Sequence, residues 1–274
     1  MITPQVKSAF KTYWKHLRFK LSARDSFIFL FYYRFFYSPK EGCLPDFLSQ
    51  YSLSKKTDFY VIQVGANDGI TNDPIHKFIK RDRWKGVLLE PQPEVFRESL
   101  SKIYKNHPGL TPICAAIGYN DGSQKLYKIG FSTMRWATGL ASFSEEKIKS
   151  LFDEGIVQKN CEKNGLEIPS DPDQQITSEE VKVISPETLI KTYSIHQIDL
   201  LQIDAEGFDL EVVKMFDVKK TKPNAIIFEN ENLNPHDLEE CYRLLISENY
   251  SLREFGRDTL AVKKELVQFA HFFN

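Results

Sequence analysis

Four acids closing two apolar runs are the residues of this 274-residue chain best placed to do chemistry. Ile198-Asp199-Leu200-Leu201-Gln202-Ile203-Asp204-Ala205-Glu206 and Ala225-Ile226-Ile227-Phe228-Glu229-Asn230-Glu231 read as buried strands that stop on carboxylates. As neighbouring strands they would set Asp204 beside Glu229 at the carboxyl edge, where open α/β sheets bind ligands. Like charges that close cannot both stay ionised cheaply, so either one holds a proton and serves as a base or a cation neutralises both. Asp204, Glu206 and Glu229 offer the hard oxygens that magnesium prefers. In the plainer reading Glu206 caps the helix beginning near Phe208, and Glu231 is solvated. Asp204 is the first candidate base and Glu229 its partner. His236, just inside a helix N-terminus, could assist but reads more simply as a surface histidine.

A second constellation binds rather than reacts. Phe59-Tyr60-Val61-Ile62-Gln63-Val64 runs into the turn Gly65-Ala66-Asn67-Asp68-Gly69, and a second apolar strand ends on Glu90 about twenty residues later. Gly65 can take a positive φ, and Gly69 would let the backbone approach a ligand with no Cβ in the way. Glu90, on the same sheet edge, could accept both hydroxyl protons of a ribose. The three-glycine fingerprint that seats a pyrophosphate is missing, and Asp68 would repel one. A cationic nucleoside without phosphate, S-adenosylmethionine being the common example, suits this turn better. A plain strand-to-helix turn is the alternative.

These sites need a frame. At 42% hydrophobic and 27% charged, the chain can bury one large core or one core with a small appendage. A net charge of -1 argues against a general nucleic-acid binder. Cys43, Cys114, Cys161 and Cys241 are scattered without C-x-x-C spacing and read as reduced, Cys114 and Cys241 lying in apolar stretches. With no small-residue cleavage site after its basic opening, the chain is expected in the cytoplasm.

From about residue 57 strands alternate with helices, the pattern of a parallel sheet covered on both faces. Strands are predicted near 58–64, 86–90, 111–117, 198–204, 223–229, 250–256 and 259–264. Asp73-Pro74, Ser185-Pro186 and Asn234-Pro235 each mark a helix start. Only Gly256-Arg257-Asp258 separates the last two strands, so they should form an antiparallel hairpin. A mostly parallel sheet closed this way is the methyltransferase variant of the Rossmann plan, by fold-level analogy.

Residues 118–180 read as a substrate-side insertion in a domain spanning 46–274. Asn120-Asp121-Gly122 is a hairpin-turn signal, followed by a strand at 124–129 and a helix at 145–152. Pro169 to Gln175 reads as a mobile lid or a surface loop, and Trp136, Thr138, Ser142 and Phe143 as acceptor-pocket or core residues. Residues 1–45 read as a basic aromatic helical extension: Lys7, Lys11, Lys15 and Arg18 lie opposite Phe10, Tyr13, Trp14, Leu17 and Leu21. The aromatic run 27–37 is too short for the roughly 20 residues that span a bilayer. It is a candidate peripheral membrane contact through residues 7–37, or a helix packed on the domain or on a second subunit of a homodimer, and packing is favoured.

Gln63-Val64-Gly65-Ala66-Asn67-Asp68-Gly69, Leu89-Glu90-Pro91-Gln92-Pro93, Ala115-Ala116-Ile117-Gly118 and Ile203-Asp204-Ala205-Glu206-Gly207-Phe208-Asp209 together resemble the FkbM family of S-adenosylmethionine-dependent methyltransferases. The resemblance implies an α/β class I methyltransferase fold, Rossmann-like, with helices on both faces. It implies O-methylation of a sugar, glycan or secondary-metabolite hydroxyl. On this chain Gly65, Asn67, Asp68 and Gly69 would surround the methionine part, Glu90 with Pro91 the ribose, and Ala116 with Ile117 the adenine. Asp204 would face the methyl group. Gln63, also expected against the cofactor, stands where an acid is usual two residues before the first glycine, which weakens an ionic contact to the methionine amino group. Two other readings stand beside this one: an NAD(P)-dependent oxidoreductase using the same turn and Glu90, and a non-catalytic membrane-apposed module.

Overall fold

The computed structural model describes residues 13–14, 17–55 and 58–273. Seven strands form the main sheet: β1 (Tyr60–Val64), β2 (Lys85–Leu89), β3 (Leu110–Ile113), β7 (Leu200–Ile203), β8 (Ala225–Glu229), β9 (Tyr250–Phe255) and β10 (Asp258–Lys263). Their order is β3-β2-β1-β7-β8-β10-β9. All neighbours are parallel except around β10, which runs antiparallel to both β8 and β9. The chain therefore winds outward from β1 to β3, crosses back, and builds the other half from β7. That reversal leaves a crevice at the carboxyl ends of β1 and β7.

The strands read as unbroken apolar runs because both faces are covered. Val61, Ala225, Ile227, Leu260 and Val262 point into a core with Phe47, Phe78, Trp84 and Phe272. Ile62, Val64, Ile226, Phe228 and Ala261 point into another with Leu189, Val213 and Leu245. Side chains two apart share a face, so the two cores alternate along every strand. The helix Leu44–Ser54 belongs to the first core, where Phe47 meets Phe269 and Phe272 edge-on at 5.4 and 5.5 Å.

The predicted strand at 111–117 is divided. It stops at Ile113, and β4 (Ala116–Ile117) joins a second sheet of order β4-β6-β5, with β5 at Gly122–Ile129 and β6 at Ile176–Ile184. Because β6 lies between β4 and β5, Asn120-Asp121-Gly122 does not close a hairpin. Asp121 instead accepts the Ser185 N–H at 2.7 Å and the Thr188 hydroxyl at 2.6 Å, tying this turn to the next helix. The stretch read as a lid or a surface loop forms structure of its own: Asp171 caps the short helix Pro172–Gln175, which leads straight into β6. A third core of Ile129, Ala137, Ile148, Val157 and Cys161 holds this layer together. Ser185 and Asn234 cap their helices as expected, whereas Asp73 accepts the N–H groups of Ile75 and His76 ahead of a helix that begins at His76.

Lys7, Phe10, Lys11 and Lys15 lie outside the described residues. The described part of the extension packs on the domain: Arg18 donates to the Ile70 carbonyl at 3.2 Å, the Ser22 hydroxyl meets His76 at 3.1 Å, and Asp25 pairs with buried Lys80 at 2.6 Å. All four cysteines are free, Cys161 and Cys241 buried and Cys43 and Cys114 half-buried.

Candidate active site

A cavity of about 740 Å³ opens at the switch point between the sheet halves. Its floor is the carboxyl ends of β1, β2 and β7, and its far wall is the second sheet with the helix Glu145–Asp153. That size lies within the range of small-molecule sites.

Glu90 leaves the end of β2 fully buried and is held at both oxygens. Oε2 accepts the Asn67 N–H at 2.8 Å, while Oε1 accepts the Gln92 N–H at 2.9 Å and its side-chain amide at 3.1 Å. Burial pushes the carboxyl up to about 7, partly offset by those donors and by Arg135. Asn67 reaches Glu90 because its backbone is left-handed, φ 45°, a conformation asparagine tolerates. Gly65 is required for a different close approach, since a Cβ there would lie 1.8 Å from the Asp204 carbonyl oxygen.

Asp204 follows β7, and the register that pairs Ile203 with Phe228 puts it next to Glu229. One Asp204 oxygen, Oδ1, is buried without a hydrogen-bond partner. Burial raises its carboxyl, against the pull of Arg135 and Arg257. Glu206, in the same cavity and also left-handed at φ 50°, is pushed up to about 7 by burial and then by Asp204. Asp209, buried behind them, is raised to about 7 for the same two reasons.

The insertion contributes the cations. Arg135 and Lys147 both line the cavity. Arg135 Nε is buried and unpartnered, and Lys147 donates to the Glu206 carbonyl. Thr138 latches the two layers, its carbonyl accepting from Gln92 at 2.8 Å. Neither Arg135 nor Lys147 stands in a motif, so nothing in the local sequence marked them.

Of the residues expected at the ligand, Gly65, Asn67, Glu90, Pro91, Ala116, Ile117, Asp204 and Glu206 line this cavity. Thr138, Ser142 and Phe143 join them, while Trp136 packs in the insertion core.

Other expectations are corrected. Gln63 is buried on the other side of its strand and donates to Asp73 at 3.1 Å. Asp68 lines a smaller neighbouring cavity and accepts the Ile70 and Thr71 N–H groups, so it shapes the turn. Gly69 lacks a Cβ to make room for Leu100, 2.7 Å from where that Cβ would sit, not for a ligand.

Glu229 is outside the cavity lining and already neutralised. Arg257, from the two-residue β9–β10 turn, pairs with one of its oxygens, and Asn232 donates to the other at 2.6 Å. Asn232 also donates to Glu206 at 3.0 Å, standing between the two acids where a cation would have to sit. The metal trio Asp204, Glu206 and Glu229 is therefore not assembled. Among the described residues, ligand atoms gather only at His236, Asp237 and Glu240 on an outer helix. His236 is 77% exposed and lies outside the cavity lining.

The raised Glu206 carboxyl has a stability consequence. The folded protein keeps this proton up to about pH 7, while an unfolded chain releases it near pH 4.5, so folded stability falls as pH rises through that window. Glu206→Gln removes the titration but keeps an oxygen for Asn232. We expect its melting temperature to exceed the wild type by roughly 2–4 °C at pH 8 and to converge with it near pH 4.5. Parallel melting curves at both pH values would refute this.

A profile of the Methyltransferase FkbM domain matches residues 63–252. No curated protein matches the chain. Among solved structures it is similar to methyltransferase FkbM from Methylobacillus flagellatus KT, at TM-score 0.43 and 13% identity over 80% of this chain and 50% of that one. It is also similar to precorrin-6y C5,15-methyltransferase from Geobacter metallireducens GS-15, at TM-score 0.36 and 11% identity over 83% and 94% of the two chains. The present chain thus spans half the length of the Methylobacillus protein.

Proposed function

This chain belongs to the FkbM methyltransferase family, and from that premise we propose that it is an S-adenosylmethionine-dependent O-methyltransferase acting on a hydroxyl of a sugar, glycan or secondary metabolite. The observation that carries the reading is the pairing, in one cavity, of a buried carboxylate braced by backbone N–H groups with an aspartate whose inner oxygen has no partner.

The residues fit the donor. Glu90, ionised, accepts the two hydroxyl protons of a ribose, and Ala116 with Ile117 offers an apolar flank for a base. Asp204 and Glu206 make the β7 end anionic, which favours a sulfonium. Arg135, whose buried Nε has no partner, supplies a guanidinium donor for a carboxylate. Bound there, the donor supplies a methyl group on positively charged sulfur.

What the protein adds is orientation and a proton acceptor. The Asp204 carboxylate takes the proton of the acceptor hydroxyl as that oxygen forms its bond to the methyl carbon and the carbon–sulfur bond breaks. The insertion wall is tied to the sheet edge, Lys147 to Glu206 and Thr138 to Gln92.

The same acids disfavour a dinucleotide. No helix begins at the glycine turn, the next one starting at His76, so a pyrophosphate would meet no helix N-terminus. Titration calorimetry with S-adenosylhomocysteine and with NAD tests the choice. Heat on the first and none on the second is expected, and the reverse would overturn the reading.

A further inference from the structure

The helix Phe27–Phe35 is aromatic on both sides, and the domain uses only one of them. Phe29 and Tyr33 face inward, with ring centroids 4.5 Å apart, and Tyr37 continues the row edge-on to Phe78 at 6.2 Å. The opposite side presents Phe27, Ile28, Phe35 and Phe36, which are between 64% and 77% exposed, with Phe31 and Tyr32 between them. These rings touch one another, Phe31 lying 5.7 Å from Phe27 and 4.7 Å from Phe35, so the patch is continuous. Such a patch marks an interaction surface.

Charge identifies the partner. Residues 1–41 hold eight Lys or Arg against two Asp or Glu, whereas the rest of the chain holds 28 against 35. Asp25, the only acid before Glu41, is turned inward to buried Lys80. Lys20, Arg24, Arg34 and Lys40 in the same segment are exposed, Arg34 lying 5.9 Å from the Phe35 ring. A second copy of this chain would bring the same cations against themselves. A surface of anionic headgroups over hydrocarbon would satisfy cations and rings together.

We propose that this face docks the enzyme on an anionic phospholipid bilayer, lying in the interface without crossing it. Its nine residues extend about 14 Å, less than half of a roughly 30 Å hydrocarbon core, and no helix among the described residues is long and apolar enough to span. The inference is independent of the methyl donor.

Co-sedimentation of the full chain with vesicles tests it. Binding is expected to vesicles of equal parts phosphatidylcholine and phosphatidylglycerol, to weaken as salt is raised, and to be much poorer with phosphatidylcholine alone. Phe31→Ser with Phe35→Ser, and separately Arg24→Gln with Arg34→Gln, should each lower partitioning roughly ten-fold or more. The melting temperature should stay at the wild-type value, since these side chains are exposed. Failure to sediment with the anionic vesicles, equal binding to neutral ones, or wild-type partitioning by either variant overturns the proposal. So does a dimer, seen by analytical ultracentrifugation, that the Phe31→Ser, Phe35→Ser variant splits.

Discussion

Replacing Glu90 with alanine should weaken S-adenosylhomocysteine binding by about 100-fold or more, because two hydroxyl donors lose a charged acceptor worth roughly 1.5–3 kcal/mol each. The backbone is also loosened, since Glu90 orders both Asn67 and Gln92. Glu90→Gln separates the two effects. It retains an oxygen for one N–H group but turns an amide donor toward a ribose donor, so most of the loss should persist with a folded, unaltered core. The ligand's pH profile supplies an independent check. Only the ionised carboxylate accepts both hydroxyl protons, and its proton leaves at about 7. Wild-type affinity should therefore fall as pH drops below about 7, and the fall should be distinctly shallower in the Gln variant, where Glu206 and Asp209 still titrate in that range. Undiminished binding by the alanine variant would remove Glu90 from the site and the nucleoside reading with it.

The second large effect separates binding from turnover. Asp204→Asn keeps the size and the buried position of the side chain but cannot take a proton at neutral pH. With any acceptor that supports the wild type, turnover should drop by roughly 10²–10⁴-fold, the usual contribution of a positioned base. Calorimetry on the same variant should give S-adenosylhomocysteine affinity within a few-fold of wild type, because Glu90 and the β1 turn are untouched. A variant that turns over normally means the acceptor reacts without Asp204.

Charge out of contact with bulk water gives both substitutions their leverage, Glu90 being fully buried and Asp204 partly so. Glu90 and Asp204 would each be cheaper to keep neutral in this cavity. Arg135, from the insertion, restrains both by favouring their ionised forms. The insertion is therefore part of the electrostatics of the site as well as its wall.

How much of this was legible beforehand depends on the range of the interaction involved. The core strands, the closing hairpin and the turn at Gly65 follow from periodicity and turn chemistry within about ten residues, and the side-by-side placing of Asp204 and Glu229 follows from the strand-helix-strand order that joins them. β6 escapes the pattern because only four of the nine residues in Ile176–Ile184 are apolar, as befits a strand solvated on one face. Gly69 was misread because its neighbours, Leu100 and Tyr104, arrive from a helix thirty residues onward.

From its residues alone the chain determined a parallel sheet with an acid at the end of each strand that matters, because strand propensity, burial on both faces and left-handed turns are local properties. Which of those acids keeps a free oxygen was decided only in three dimensions. Glu229 and Asp204 are equivalent in the sequence, yet Arg257 and Asn232 fold back onto the first and leave an oxygen of the second unpartnered. A carboxylate's reactivity is set by the charges and donors within a few ångströms of it, and here the cations, Arg257 and Arg135, come from a hairpin tip and an insertion that no spacing rule connects to either acid.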